Sequence, residues 1–243
     1  MIKHARCALT AHCVAALLLS VSSLTHATAA DAATYYVSAS GDDGRSGTAI
    51  ASSWRSLDRV NRQQFAPGDT VLFEGGRTFS GQLYLDRVDA GRSDLPVTIG
   101  SYGSNGRATI SNAQGTAILV YNTAGVRIAN LAVTGGSRDV NTGIEIGGWN
   151  NRSGFRSVRI EAATVRENGR ARILTYAFQR AVHRDVYIGS TRAFLNAGFS
   201  GLADNSGSGI VLSGVDGGTI ERSVAYSNGR RSTASDGPVG IWA

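Results

Sequence analysis

The stretch "IERSVAYSNG", Ile220 to Gly229, decides the fold, because an Asn follows an Ile by eight residues. The same spacing occurs in "IEAATVREN" (Ile160, Asn168) and "IGSTRAFLN" (Ile188, Asn196). The three isoleucines are 28 and 32 residues apart, and Ile128 in "VRIANLAVTGG" lies 32 residues before the first, with Gly136 at the Asn position. A recurrence of this size marks an architecture of stacked repeats. Around each Ile the sequence alternates: "GVRI", "SVRI" and "DVYI" point apolar residues one way at every second position, which is strand periodicity. A second alternating set is "AILV" (Ile118, Val120), "GIEIG" (Ile144, Ile146) and "GIVL" (Ile210, Leu212). Coils of about 30 residues, each with two or three short strands, predict an all-β parallel β-helix. In it Ile128, Ile160, Ile188 and Ile220 stack inside a tube. Asn168, Asn196 and Asn228 occupy a turn, where Asn tolerates left-handed dihedrals and bonds its counterpart in the next coil. The Asn column is thus read as scaffold.

Composition agrees. Glycine supplies 31 of 243 residues with only three prolines, a chain of many tight turns. Residues 1–30 have a basic start (Lys3, Arg6), an apolar run to Leu19 and a small-residue site at Ala27–Ala29, the pattern of a secretory signal peptide. Both cysteines, Cys7 and Cys13, fall within it, so the exported chain relies on burial and backbone pairing rather than disulfides. Lys3 is the only lysine, which excludes lysine-based chemistry after processing. Without Lys3 and Arg6 the balance is 22 basic to 18 acidic residues, net +4 and spread along the chain. That is not the clustered stripe of a nucleic-acid binder. No second apolar run approaches membrane length, so no membrane span is expected. The expected organisation is a leader (1–30), an N-terminal cap with the first coils (31–112), and repeats (113–243). Within the cap, Ser52 or Ser53 is expected to start a short helix with Trp54, Leu57 and Val60 on one side.

"YYVSASGDDG", "PGDTVLFEGGRTFSG" and "LPVTIGSYG", followed by Asn-Gly coils, resemble the secreted right-handed parallel β-helix proteins of the pectin-lyase-like superfamily. The resemblance covers most of residues 34–243 and is specific for fold rather than activity. It implies a right-handed solenoid and a polysaccharide as partner. Members include lyases, glycoside hydrolases, epimerases and non-enzymatic adhesins. Some use an arginine base with calcium held by acidic residues, so calcium is a candidate cofactor; the metal ligands are unknown. No catalytic motif matches residue by residue. "DGPVGIWA" repeats the coil entry "GSGIVL" and then stops at Ala243, which reads as a truncated solenoid.

Three groups of residues could carry chemistry. Aligned on the isoleucines, Glu161 and Glu221 face the same way two coils apart, about 9.6 Å at the strand spacing, with Gly189 between. That is near the upper end of the ~6.5–9.5 Å of an inverting glycosidase pair. The neighbouring column, Arg127, Arg159, Tyr187 and Thr219, offers cations and a ring for a sugar; the structural alternative is that Glu161 pairs with Arg159 or Arg127. Secondly, the loops "NAGFSGLADNSGSGI" and "NGRRSTASDGPVGI" place Asp204 and Asp236 one coil apart, as a calcium pair or an acid/base pair, or as simple turn initiators. Thirdly, "GGWNNRSGFR" (Gly147–Arg156) gives its coil six extra residues, since Ile144 to Ile160 spans 16 residues where Ile118 to Ile128 spans 10. Trp149 there is a sugar platform or a core residue, and His183 and Arg184 border the same side as candidate substrate contacts, with His183 a base or, as a lone histidine more often is, a structural residue. The entry residue of the next coil is either Ile173 or Phe178. The leading function is an exported polysaccharide-active enzyme, a lyase or glycoside hydrolase acting on an acidic polymer, monomeric. The alternatives are a non-catalytic carbohydrate-binding or adhesion solenoid and an inactive fragment.

Overall fold

The computed structural model describes residues 31–135, 142–202, 206–235 and 237–243; the expected leader lies outside them. The chain is a parallel β-helix of three sheets. After an opening strand at Thr34–Val37, each of six coils contributes one strand to each sheet in turn. The first sheet is formed by Thr34–Val37, Thr70–Glu74, Val97–Tyr102, Val126–Ala129, Phe155–Glu161, His183–Gly189 and Val215–Glu221. The second runs through Thr78–Ser80, Ala108–Asn112, Leu131–Gly135, Thr164–Arg166, Arg192–Phe194 and Val224–Tyr226. The third is built from Leu83–Leu85, Ile118–Tyr121, Thr142–Trp149, Ala171–Phe178, Ser208–Leu212 and Ile241–Trp242. All pairings between neighbouring strands are parallel.

Register follows the apolar period. In the first sheet Val71, Ile99, Ile128, Ile160, Ile188 and Ile220 are consecutive partners. All but the last are buried, and Ile220 packs against the core from the final coil. In the third sheet the inward column is Leu83, Ile118, Ile144, Ile173, Ile210 and Ile241, which makes Ile173 the entry residue of its coil. Phe178 instead pairs with Trp149 at the far end of a lengthened strand. The six extra residues are therefore not a loose loop. Two of them lengthen the strand Thr142–Trp149, three lengthen the start of Phe155–Glu161 and one adds to the turn between, and the next coil lengthens its own strands to match.

The corners carry left-handed residues in columns. Asn130, Ala162, Ser190 and Arg222 (φ 46–55°) turn the chain from the first sheet to the second. Glu167, Leu195 and Ser227 (φ 52–63°) precede the Asn column, so the left-handed residue is the one before each Asn and not the Asn expected from its propensity. The asparagines act through their side chains. Asn196 Nδ2 donates to the carbonyls of Ser208 (2.9 Å) and Arg170 (3.2 Å), and Asn228 Oδ1 accepts from the Asn196 N–H at 3.1 Å. Asn168 and Asn196 are buried, and a Cβ on Gly135 would collide with Asn168 Oδ1. A side-chain amide thus satisfies carbonyls that a tight corner takes from the ladder.

At the front, the helix is Leu57–Asn61, and its cap is Ser56 rather than Ser52 or Ser53: Ser56 Oγ accepts from the Arg59 N–H at 3.1 Å. Trp54 precedes the helix and bridges to Val37. It is buried with Leu57 and Val60, stacked on Tyr35 with ring centroids 4.7 Å apart. No helix among the described residues is long and apolar enough to cross a membrane.

Two substitutions test this framework. Ile160→Ala should lower the unfolding free energy by about 2–5 kcal/mol through the cavity it leaves. Asn196→Ala should lower it by about 1–3 kcal/mol, since it strands buried carbonyls. Both are read by urea or thermal unfolding followed by circular dichroism.

Candidate functional site

The outward face of the third sheet is the most site-like surface among the described residues. With Ile144 and Ile146 pointing in, period-2 alternation turns Glu145 outward; likewise Ile173 and Thr175 are buried and Leu174 and Tyr176 emerge. Strand pairing stacks these positions into a column of Tyr84, Leu119, Glu145, Leu174, Val211 and Trp242. Beside it Tyr121, Gly147 and Tyr176 are in register, and beyond them Trp149 and Phe178. A cleft of about 550 Å³ opens here, lined by Thr116, Glu145, Arg170, Leu174, Tyr176 and Phe178 among others.

Glu145 is the only carboxylate among its described lining residues. Thr116 Oγ1 donates to Glu145 Oε2 at 2.8 Å, and the Tyr176 phenol also hydrogen-bonds this carboxylate. Burial, the Glu145 charge and that hydrogen bond all push the Tyr176 phenol well above its ordinary value, so it stays protonated and donates. Gly147 makes the arrangement possible: a Cβ there would lie 2.5 Å from the Tyr176 hydroxyl and 2.8 Å from the Tyr121 ring. Trp149 and Phe178 flank the cleft at 43% and 54% exposure, edge-to-face with centroids 6.1 Å apart. Trp149 therefore presents its ring to solvent, whereas Phe155 from the same segment is buried. Aromatic walls with a few placed hydroxyls and one carboxylate suit a carbohydrate, which offers both apolar ring faces and hydroxyls.

The first sheet's outward face is arranged differently. Glu161 and Glu221 do share a column with Gly189 between them. Glu161 is held by Arg127 (2.6 Å) and Arg159 (2.9 Å). Burial alone would raise its carboxyl, but the hydrogen bonds and charges of the two arginines outweigh it and hold Glu161 below the usual range. Arg159 also lies over the Tyr187 ring, 4.1 Å from its centroid, and the Tyr187 hydroxyl donates to Glu221 at 2.5 Å. Arg222 pairs with the same Glu221 oxygen. The four residues Glu161, Glu221, Arg159 and Tyr187 thus form one self-satisfied ladder, and a carboxylate bound by two guanidinium groups is a poor proton donor.

His183 is fully buried, its Nε2 2.9 Å from the Tyr176 carbonyl and its ring against Phe155. Burial lowers its pKa. Its ring therefore presents no surface to solvent in this fold, as in the structural alternative for a lone histidine. Arg184 forms an ion pair with Asp216. Asp204 and Asp236 lie outside the described residues. No group of three or more His, Cys, Asp or Glu side chains able to hold a metal occurs among the described residues. Sequence reasoning missed Glu145, Thr116 and Tyr176, although the alternation in "GIEIGG" was the available signal for Glu145.

No family model matches the chain. Over 183 residues it is 32% identical to a lacto-N-biosidase of Bifidobacterium longum subsp. longum, a match covering 60% of this chain and 11% of that protein. The crystal structure of a GH136 lacto-N-biosidase from Eubacterium ramulus superposes with a TM-score of 0.59 at 22% identity, covering 75% of this chain and 36% of that one. Its selenomethionine form gives 0.57 over 66% of this chain. The chain thus spans about a tenth of the one relative's length and about a third of the other's. It shares the β-helix fold with the solved enzyme.

The ladder predicts an acid-dependent part of stability. Because folding lowers the Glu161 pKa, its contribution is complete above the ordinary value of 4.5 and fades as pH falls through the lowered one. Glu161→Gln should therefore flatten the pH dependence of the melting temperature below about pH 5, as a melting series in acid buffers will read.

Proposed function

We propose that the protein is an exported, carbohydrate-active β-helix that binds a glycan in the third-sheet cleft and cleaves it by hydrolysis, with Glu145 as an acid/base carboxylate. The observation that carries this reading is a lone carboxylate, oriented by two hydroxyls, within an aromatic-walled cleft. The sequence match to a lacto-N-biosidase supports glycosidase chemistry over elimination. The leader-like residues 1–30 support export. A glycan without acidic groups fits this cleft better than an acidic polymer, because Arg170 is the only cation among its described lining residues.

A second reading, carbohydrate binding without cleavage, is favoured by one fact. Glycosidases use paired carboxylates, and the described lining supplies one.

The test is to incubate the purified protein with a panel of neutral and acidic glycans, including oligosaccharides ending in lacto-N-biose. New reducing ends without ultraviolet-absorbing unsaturated products are expected, and Glu145→Gln should slow their release at least about 100-fold. Unsaturated products would overturn hydrolysis in favour of elimination, and binding without new ends would leave the second reading.

A further inference from the structure

Resting on the reading of that cleft, we propose a distal subsite across Leu174, Val211 and Trp242, in which a linear glycan lies along the helix axis. The three residues follow Glu145 in one outward column, each paired in register with the next. At one strand spacing per step, the column carries an apolar strip about 14 Å beyond Glu145. A second hollow of about 100 Å³ is lined by Arg170, Leu174, Ser208, Val211 and Trp242. It shares Arg170 and Leu174 with the main cleft, so the two adjoin.

The chemistry of the strip suits sugar rings in succession. Leu174 and Val211 are half-buried, and Trp242 is 57% exposed, a large apolar ring facing solvent. A hydroxyl borders it at the main cleft, the exposed Ser213. A regularly spaced apolar ladder with Ser213 at its edge matches a chain of rings whose faces are apolar and whose rims are hydroxylated. The opposite direction offers a shorter run, with Leu119 and Tyr84 two steps away. Recognition is therefore asymmetric about Glu145.

The experiment is calorimetric titration of the whole protein with di-, tetra- and hexasaccharides prepared from xylan, mixed-linkage glucan, chitin and homogalacturonan. Affinity should rise from di- to hexasaccharide. Trp242→Ala should weaken hexasaccharide binding about tenfold, the worth of one lost apolar contact patch, and leave disaccharide binding unchanged. Val211→Thr, which keeps a β-branched, strand-favouring side chain while replacing a methyl with a hydroxyl, should act in the same direction. Length-independent affinity, or variants that weaken all lengths equally, would overturn the subsite while leaving the Glu145 cleft intact. Failure of every length to bind, while oligosaccharides ending in lacto-N-biose still bind, would overturn the subsite alone; failure of those as well would overturn the cleft reading with it.

Discussion

Parallel pairing of each strand with its counterpart one coil away is the constraint on which the molecule depends. It places every side chain about 4.8 Å from the residue at the same position in the next coil. Inside the tube this demands residues that pack on themselves, and Val71 through Ile220 do so without a polar interruption. Outside, it demands columns that tolerate self-repetition. Arg127 and Arg159 are direct partners, a repulsive pairing in isolation, and Glu161 binds both. At the corners the same geometry is met by left-handed residues and by asparagines whose amides reach the carbonyls of adjoining coils.

This rule separates two kinds of outward face. On the first sheet, charges are matched within the column: Glu161 and Glu221 are both engaged by arginines. A carboxylate committed to guanidinium forks has few acceptor directions left for a ligand. On the third sheet Glu145 is engaged by hydroxyls alone among its described hydrogen bonds. Hydroxyl donors orient a carboxylate without neutralising it, and rings at Tyr176, Phe178 and Trp149 supply surface beside it. The difference between a committed carboxylate and an available one thus lies in what the neighbouring coil places under it.

The tube was legible in the sequence because its signal is repeated. Isoleucines at intervals of 28 and 32 residues fix the register of the first sheet, and the alternating "AILV", "GIEIG" and "GIVL" fix the third. The coil after Trp149 was ambiguous because Ile173 and Phe178 are both apolar; the tie is broken by pairing with Ile144, which no single segment displays. The Glu161 column was also legible, but its arginine partners decide its character, and side-chain reach is not written in spacing. Glu145 was passed over because it stands between two isoleucines and reads as the polar half of an ordinary strand. Its significance comes from Thr116, 29 residues earlier, and Tyr176 in the next coil. The helix cap was misplaced by three or four residues, since several serines precede the same apolar pattern and only backbone geometry selects Ser56.

The lengthened strands connect scaffold to cleft. The insertion carries Thr142–Trp149 two residues past the usual corner and starts Phe155–Glu161 three residues early, and the strand that follows extends to Phe178 beside Trp149. Such an extension would leave a hollow beneath, and Phe155 and His183 fill it, with no room for a side chain at Gly148 above them. His183 is the sole histidine after residue 30. Burial keeps its ring neutral, and the partner of Nε2 is the Tyr176 carbonyl, which can only accept, so Nε2 carries the proton. That bond fixes the backbone of the residue whose phenol reaches Glu145. A histidine that seemed placed for sugar contact thus serves the cleft from below, by holding the strand that builds its wall.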